Sequence, residues 1–371
     1  MKFTCNQQIL SRALNTVSKA VTSRTTIPIL KGILLKASDD GKLTMAASDL
    51  DLSIEKTIDV NVESSGSIVV AAKLFGDIIR KLPNEEVSFE VEEGGRAVIK
   101  TLSSEFDVVG QQADEFPNTG DIGDVSVQMS IDRKIMSDMI RKTFFCASID
   151  ESKGIITGIS TEITSDHMTM AALDGFRMAV AEEKMKSDKE GNIIISARIM
   201  NEVNKILMEN EADDDITVIL GDKKAVMLLE RTKIVIRLLE GEFIKYRDIL
   251  PKEKKTTVTI GKDILAESIE RASLLAKEGK NKLIKCNIHE NLMTITSASE
   301  EGAVKEEIIM EKEGEDLEIG FNSKYMMDAL KAIDDEQIIM EFNTSITPCM
   351  IKPLQGNSFS YLILPVRISP N

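Results

Sequence analysis

Three cationic residues recur along this chain at nearly constant spacing. Lys73, Arg198 and Lys324 each follow a small residue and open an apolar run; the first two lie 125 residues apart and the second two 126. Cations at one place in successive repeats mark an architecture built by repetition, and break no covalent bond by themselves. Groups that could do covalent chemistry are sparse. His167 and His289 flank hairpin turns of different repeats with no Ser or Cys nucleophile pattern beside them, and both read as surface histidines. Neither GxxxxGK[ST] nor GxGxxG occurs, so no phosphate cradle for ATP or a dinucleotide is expected. Asp213-Asp214-Asp215 sits among turn-forming residues and reads as a solvated loop, not a divalent-ion site. Cys5, Cys146, Cys286 and Cys349 form no CxxC pair, which predicts a reduced, cytosolic protein without disulfides or zinc. The expectation is a protein that is not an enzyme and carries no cofactor or metal.

The elements that position the three cations repeat as well. The segments 72–82, 197–207 and 323–333 are near-copies, and a period of about 125 residues is far longer than the roughly 20–50 residues of solenoid units. It is the size of a domain. The 371 residues therefore read as three copies of one domain, spanning 1–125, 126–252 and 253–371. Each copy holds a second, earlier helix, marked by Leu10, Leu14, Val17 and Val21, by Met136, Met139, Ile140 and Phe144, and by Leu265, Ile269, Ala272 and Leu275. Steps of three and four place these side chains on one helical face. Hairpins follow: 32–37 with 42–47, 158–163 with 168–172, and 285–289 with 292–297, with turns such as Asp39-Asp40-Gly41 between them. The predicted class is α+β, with two helices per domain laid on antiparallel sheets.

A net charge of −15 argues against a nucleic-acid partner until it is apportioned. The six predicted helices (9–20, 73–82, 132–142, 198–208, 263–282 and 324–331) together carry +8, so the rest of the chain carries −23. Arg12, Lys19, Lys73, Arg80, Arg141, Lys142, Arg198 and Lys205 are the candidate members of a basic helical face. The same segregation would follow if Lys and Arg simply filled solvated helix surfaces. A scaffold that binds partner peptides without DNA stays open beside the DNA reading. With no Trp and only 4% aromatics, stacking on single-stranded bases is not expected.

Several motifs extend these observations. Met1-Lys2-Phe3-Thr4, Ile27-Pro28-Ile29-Leu30, Leu173-Asp174-Gly175-Phe176-Arg177-Met178-Ala179, Tyr246-Arg247-Asp248-Ile249-Leu250-Pro251, Ile319-Gly320-Phe321-Asn322 and Tyr361-Leu362-Ile363-Leu364-Pro365-Val366-Arg367 together resemble the bacterial DNA polymerase III beta subunit family, the sliding clamps. The resemblance covers essentially the whole chain. It implies a head-to-tail homodimer, a six-domain ring around duplex DNA with helices inside and sheets outside. The implied partners are double-stranded DNA held without sequence readout, a second copy of the chain, the alpha-type replicative polymerase subunit, the clamp loader and other proteins with a clamp-binding motif. A nucleoid-associated place in the cytoplasm and no membrane partner go with it.

The resemblance also assigns sites. Arg24, Lys73 and Lys153 fall on DNA-touching positions, with Gly154 and Ile155 where better-known members have two tyrosines. The implied partner-peptide pocket comprises Ile156, Leu173, Gly175, Phe176, Arg177, Met178, Ile244, Ile249, Asn322, Tyr325, Ile346 and Pro348, together with the C-terminal run Leu362, Ile363, Leu364, Pro365, Val366 and Arg367. Phe176 stands where some members carry histidine, and Ile244 where proline is usual. An apolar cleft rimmed by Arg and Asn suits Leu or Phe anchors on a peptide whose backbone still needs partners.

Overall fold

Asn6 fixes where the first helix begins. Its side-chain oxygen accepts from the backbone N–H of Gln8 at 2.9 Å and of Ile9 at 3.4 Å, so α1 runs Gln7–Ser18 and starts two residues ahead of the expected span. The computed structural model describes residues 1–22, 25–92, 94–117, 122, 124–209, 215–276 and 282–368. Five further α-helices lie among them: α2 Ala72–Lys81, α3 Arg133–Thr143, α4 Ala197–Glu209, α5 Lys262–Ala276 and α6 Ser323–Lys331. Of the helix expected over 263–282, Lys262–Ala276 is helical, and residues 277–281 lie outside the described ones. Leu10, Leu14 and Val17 of α1 and Phe75, Ile78 and Ile79 of α2 are buried, as their spacing requires. Each such side chain stabilises the fold by about 1.5–3 kcal/mol relative to exposure. None of the described helices is long and apolar enough to cross a membrane.

The expected hairpins are present as antiparallel pairs. Gly32–Ser38 pairs with Lys42–Ser48, Gly158–Ile163 with His167–Leu173, and Leu283–His289 with Leu292–Ser299. Gly32 and Gly158, one repeat apart, are there for the same reason. A Cβ on Gly32 would lie 2.4 Å from Val69 Cγ1, and one on Gly158 would lie 2.6 Å from Ile194 Cγ2. Only glycine allows that approach of strand to side chain.

The compact units do not follow the repeats. One comprises Met1–Lys134 with Lys205–Leu238, the other Ile135–Asn204 with Leu239–Asn371, so the division passes through α3 and α4. In the first unit a thirteen-stranded sheet runs from repeat 1 into repeat 2, where it takes in the opening strand Val125–Asp132 and three strands of the second half. The seam is the antiparallel pair Leu52–Asp59 with Thr232–Arg237, in register Lys56 to Thr232, Ile54 to Ile234 and Leu52 to Ile236. Phe3 stacks on Phe89 at 5.1 Å and Phe75 meets the same ring edge-on at 5.7 Å, giving this unit an aromatic core. In the second unit a nine-stranded sheet joins repeat 2 to repeat 3 through Arg177–Lys184 and Phe359–Ile363. A separate four-stranded sheet, with outer strand Gly302–Ile309, completes it.

Asp215, read as part of a solvated loop, instead opens the strand Asp215–Gly221 and accepts from Ser130 Oγ at 3.1 Å. Asp213 and Asp214 lie outside the described residues. Among the described residues no group of three or more His, Cys, Asp or Glu side chains is placed to hold a metal ion. His167 Nδ1 lies 2.7 Å from Asp166 Oδ1, and His289 Nδ1 lies 2.5 Å from Asp316 Oδ2. Both histidines are thus taken up by surface carboxylates.

Candidate functional site

In the second unit the turn Asp174-Gly175-Phe176-Arg177 organises the region where the predicted pocket residues gather. Asp174 Oδ1 accepts from the backbone N–H of Phe176 at 2.8 Å and of Arg177 at 3.1 Å, closing an Asx turn. Gly175 takes φ +94°, a conformation costly for any residue with a Cβ. The turn sends two neighbours in opposite senses: Phe176 is 55% exposed, and Arg177 is buried at 8%. Phe176 lies over Tyr325 with ring centroids 6.3 Å apart, and its carbonyl accepts from Leu364 N–H at 2.9 Å.

Arg177 is the polar centre of this region. Nε donates to Asp174 Oδ2 at 3.0 Å, one terminal nitrogen to Asp328 Oδ2 at 2.7 Å, and the other to the Phe145 carbonyl at 2.7 Å. The guanidinium also lies over the Tyr325 ring, 4.5 Å from its centroid. A buried charge survives only with partners of this quality. Asn322 caps α6 by accepting from Lys324 N–H at 2.9 Å, which fixes the helix that carries Tyr325 and Asp328.

The predicted pocket residues divide into floor and wall. Leu173, Met178 and Leu362 are buried in one cluster, with Ile156 packed against it, and Ile363 is buried in the same C-terminal strand. Strand pairing places Met178 opposite Leu362 and Arg177 opposite Ile363. The exposed apolar side chains are Phe176, Ile244 at 40%, Ile249 at 47%, Ile346 at 70% and Leu364 at 36%. Pro348, Pro365 and Val366 are half-buried, and Arg367 is exposed. Val366 N–H donates to the Gly320 carbonyl at 2.8 Å, anchoring the C-terminal run.

Ala171, Tyr246 and Met350 belong to the same buried cluster, and Val180, Phe243 and Leu250 pack on it; none of these six was among the predicted residues. Phe243 and Tyr246 were visible as an aromatic pair closing repeat 2, where Phe116 closes repeat 1. Val180 and Met350 carried no signal, because only the seam between the repeats brings them together. Burial, aided by Glu162, pushes the Tyr246 hydroxyl up to about 12. Arg247 lies over the Tyr246 ring at 5.0 Å and pairs with Glu162 at 2.5 Å.

The predicted basic residues differ sharply in how free their charges are. In the first unit Arg12 and Lys73 are exposed and make no ion pair among the described residues. Arg80 is paired with Asp77 at 3.1 Å, and Lys19 with Glu209 at 2.7 Å. In the second unit Lys153 is exposed and makes no ion pair among the described residues. Lys142 is covered and lies 2.5 Å from Asp138, while Arg141 binds both Asp138 and Asp334. Arg198 and Lys205 are exposed but have polar partners. Arg24 lies outside the described residues. Helical position therefore does not by itself make a cation available to an anion.

Comparison with known proteins gives a consistent result along the whole chain. Residues 1–120 match the family described as DNA polymerase III beta subunit, N-terminal domain; residues 130–245 match its central domain and 247–367 its C-terminal domain. The beta sliding clamp of Staphylococcus epidermidis is 34% identical over 379 aligned residues, covering 99% of each chain. That of Staphylococcus aureus shows the same identity and coverage. The crystal structure of the DNA polymerase sliding clamp from Bacillus subtilis matches at 33% identity and a TM-score of 0.93, covering all of both chains. The DNA polymerase III beta subunit from Thermotoga maritima matches at 30% identity and a TM-score of 0.92, over 99% of this chain and 100% of that one.

Proposed function

The chain belongs to the DNA polymerase III beta subunit family, the sliding clamps, and from that premise we propose how its residues do the work. It is a DNA polymerase processivity factor and not an enzyme. Two copies joined head to tail encircle duplex DNA, slide without reading bases, and tether the replicative polymerase and other partners. We assign three clamp domains to 1–125, 126–252 and 253–371, and place the protein in the cytoplasm with the nucleoid.

One observation carries the ring. Within the chain, the first helix of a repeat hands polar groups to the end of the second helix of the next. Asn15 and Lys19 of α1 reach Glu209 at the end of α4, at 3.0 and 2.7 Å. Arg141 of α3, at the place of Asn15, reaches the Ala332 carbonyl just past α6 at 3.0 Å, and Asp334. A third step would take α5 to the end of α2, and we assign that step to a second copy. Glu270 and Leu274 of α5 stand at the places of Asn15 and Lys19, and Leu274 is 63% exposed. At the end of α2 a cavity of about 210 Å³ is lined by Asp77, Ile78, Lys81, Leu82, Ser104 and Phe106. Leu274 fits the apolar cavity and Glu270 complements Lys81. Two open strand edges support the same closure. Glu105–Gln111 is paired on one side along Glu105–Val109 but on the other only at Gly110 and Gln111. Gly302–Ile309 is an outer strand, with Ile309 85% exposed. Unpaired edges of this kind invite pairing with another chain.

DNA contact is assigned to Arg12, Lys73 and Lys153, whose charges are free, with Arg24 as a further candidate from the family pattern. Phosphate contacts of this sort position without specifying sequence. Partner peptides are assigned to the cleft walled by Phe176, Ile244, Ile249, Ile346 and Leu364 over the Tyr246 cluster. The test of the whole reading is retention on nicked circular DNA in high salt after loading by a clamp loader with ATP. Protein that stays on circles and runs off once they are cut is held topologically. Equal loss from circles and linear DNA would refute encirclement.

A further inference from the structure

The first unit holds a groove of about 960 Å³ on the sheet face crossed by the seam between repeats 1 and 2. One row of its lining runs across the strands in register: Leu34 opposite Ala46, Ala46 opposite Glu55, Glu55 opposite Lys233, and Lys233 opposite Leu228. The second unit contains the same row at the seam between repeats 2 and 3. There Ser160 faces Ala171, Ala171 faces Val180, and Val180 faces Ser360. Ala171 and Val180 belong to the cluster beneath the peptide cleft. The turns beside the two rows match as well. Asp49 Oδ1 accepts from the backbone N–H of Asp51 at 3.1 Å and of Leu52 at 2.7 Å, as Asp174 does for Phe176 and Arg177. Phe116 packs at the edge of its unit's cluster as Phe243 does in the other.

We infer that this groove is a second peptide-docking surface, which takes an extended partner segment carrying a bulky apolar anchor flanked by carboxylates. The inference rests on the peptide reading of the cleft in the second unit, of which it is the internal copy. The apolar anchor fits Leu34, Ala46, Phe116, Pro117 and Leu228, the last 36% exposed. Charge decides what surrounds it. Lys36 and Lys233 line the groove and make no ion pair among the described residues, whereas Lys42 is paired with Asp40 and Arg231 with Asp59. Glu55 is already partnered, and Glu230 is the remaining carboxylate of the lining. Lys36 stands one repeat before Glu162, so the two sites differ in sign at the same place in the sheet. Leu52 stands at the place of Arg177 and is fully buried, so the groove has no guanidinium centre. The two sites thus select different peptides.

The test uses the full-length dimer and a fluorescein-labelled probe, Gly-Ser-Asp-Glu-Leu-Phe-Glu-Asp-Ser-Gly, followed by anisotropy. Closing the cleft at exposed positions with Phe176→Glu and Ile346→Glu should leave residual probe binding. Adding Lys36→Glu and Lys233→Glu should weaken that residue about tenfold, as should exchanging the probe's acidic residues for lysine. Leu228→Glu should weaken it as well, with the dimer and far-UV circular dichroism unchanged in each variant. Complete loss of binding in the cleft variant alone would overturn the groove while leaving the cleft reading intact. Binding indifferent to both sets of changes would overturn both readings. No binding of the probe to the unaltered dimer would overturn the groove's assigned chemistry.

Discussion

Replacing Lys73 and Lys142 separately by alanine distinguishes a free cation from a neutralised one. Both lie on helices and both count as +1 in the sequence, yet Lys73 is exposed and without an ion pair, while Lys142 is covered and 2.5 Å from Asp138. Each phosphate neutralised by a protein on duplex DNA contributes about −0.9 to the slope of log K against log salt. Arg12, Lys73 and Lys153 give three cations without an ion pair among the described residues per protomer and six per ring, hence a slope of about −5. If all ten basic residues engaged phosphate in each protomer, the slope would approach about −18. Lys73→Ala removes two free charges from a ring and should make the slope shallower by about 1.8, a factor of about 12 in relative affinity between about 50 and about 200 mM salt. Lys142→Ala should leave the slope within about 0.3 of the unaltered ring. The assay is anisotropy of a labelled linear duplex, which a closed ring can thread, titrated with dimer at several salt concentrations. Equal changes in the two variants, or a larger one for Lys142, would refute the division into free and paired cations.

Other outcomes follow from the same geometry. Arg177→Ala removes the guanidinium from Asp174 Oδ2 and leaves Asp328 with Lys324 alone, and should cost about 3 kcal/mol of stability. A denaturant titration and loss of peptide binding would both report it. Leu274→Asp places a charge against the apolar cavity at α2 and should convert the dimer to the 41.0 kDa monomer in sedimentation experiments. A variant that stays dimeric would remove α5 from the interface. Leu50 holds φ +77° where Gly175 stands in the next repeat, and is 52% exposed. Leu50→Gly should therefore stabilise by about 0.5–1 kcal/mol, the left-handed strain of a side chain less the added freedom of glycine in the unfolded chain. Burial raises all four thiols, Cys5 to about 11 and Cys286 to about 12, so each is protonated and covered at pH 8. A thiol reagent should label none in the native protein and four after denaturation; rapid native labelling would contradict the packing.

Much of this architecture was legible because it is written three times. A helix repeated with its small residue and cation at 73, 198 and 324 needs no partner to be recognised, and neither do hairpins closed by turns such as Asp39-Asp40-Gly41. The pocket was legible only through its family motifs. Arg177 stood out as a cation in an apolar run, but Asp328, 151 residues away, could not be matched to it from spacing. The charge count misled in a similar way. Lys19 entered the +8 of the helices while Glu209, which pairs with it, fell just past the counted span; Asp138 was inside the sum, but a sum does not show that it sits on Lys142. Seams between repeats were invisible for the same reason, since each joins strands that are remote in sequence.

Those seams have a consequence for how the molecule would answer to being cut. Leu52–Asp59 finds its neighbour in Thr232–Arg237, well over a hundred residues downstream, and the two form one sheet. Covalent continuity between the first and second repeats is therefore redundant as a tether. A single backbone break between Pro117 and Asp124 would leave the two pieces hydrogen-bonded through that sheet, and separately produced pieces would have complementary edges on which to reassemble. An isolated first repeat would bare the edge at Leu52–Asp59 and favour self-association. The integrity of the thirteen-stranded sheet, more than that of the peptide link, is what keeps the first and second repeats of one protomer together.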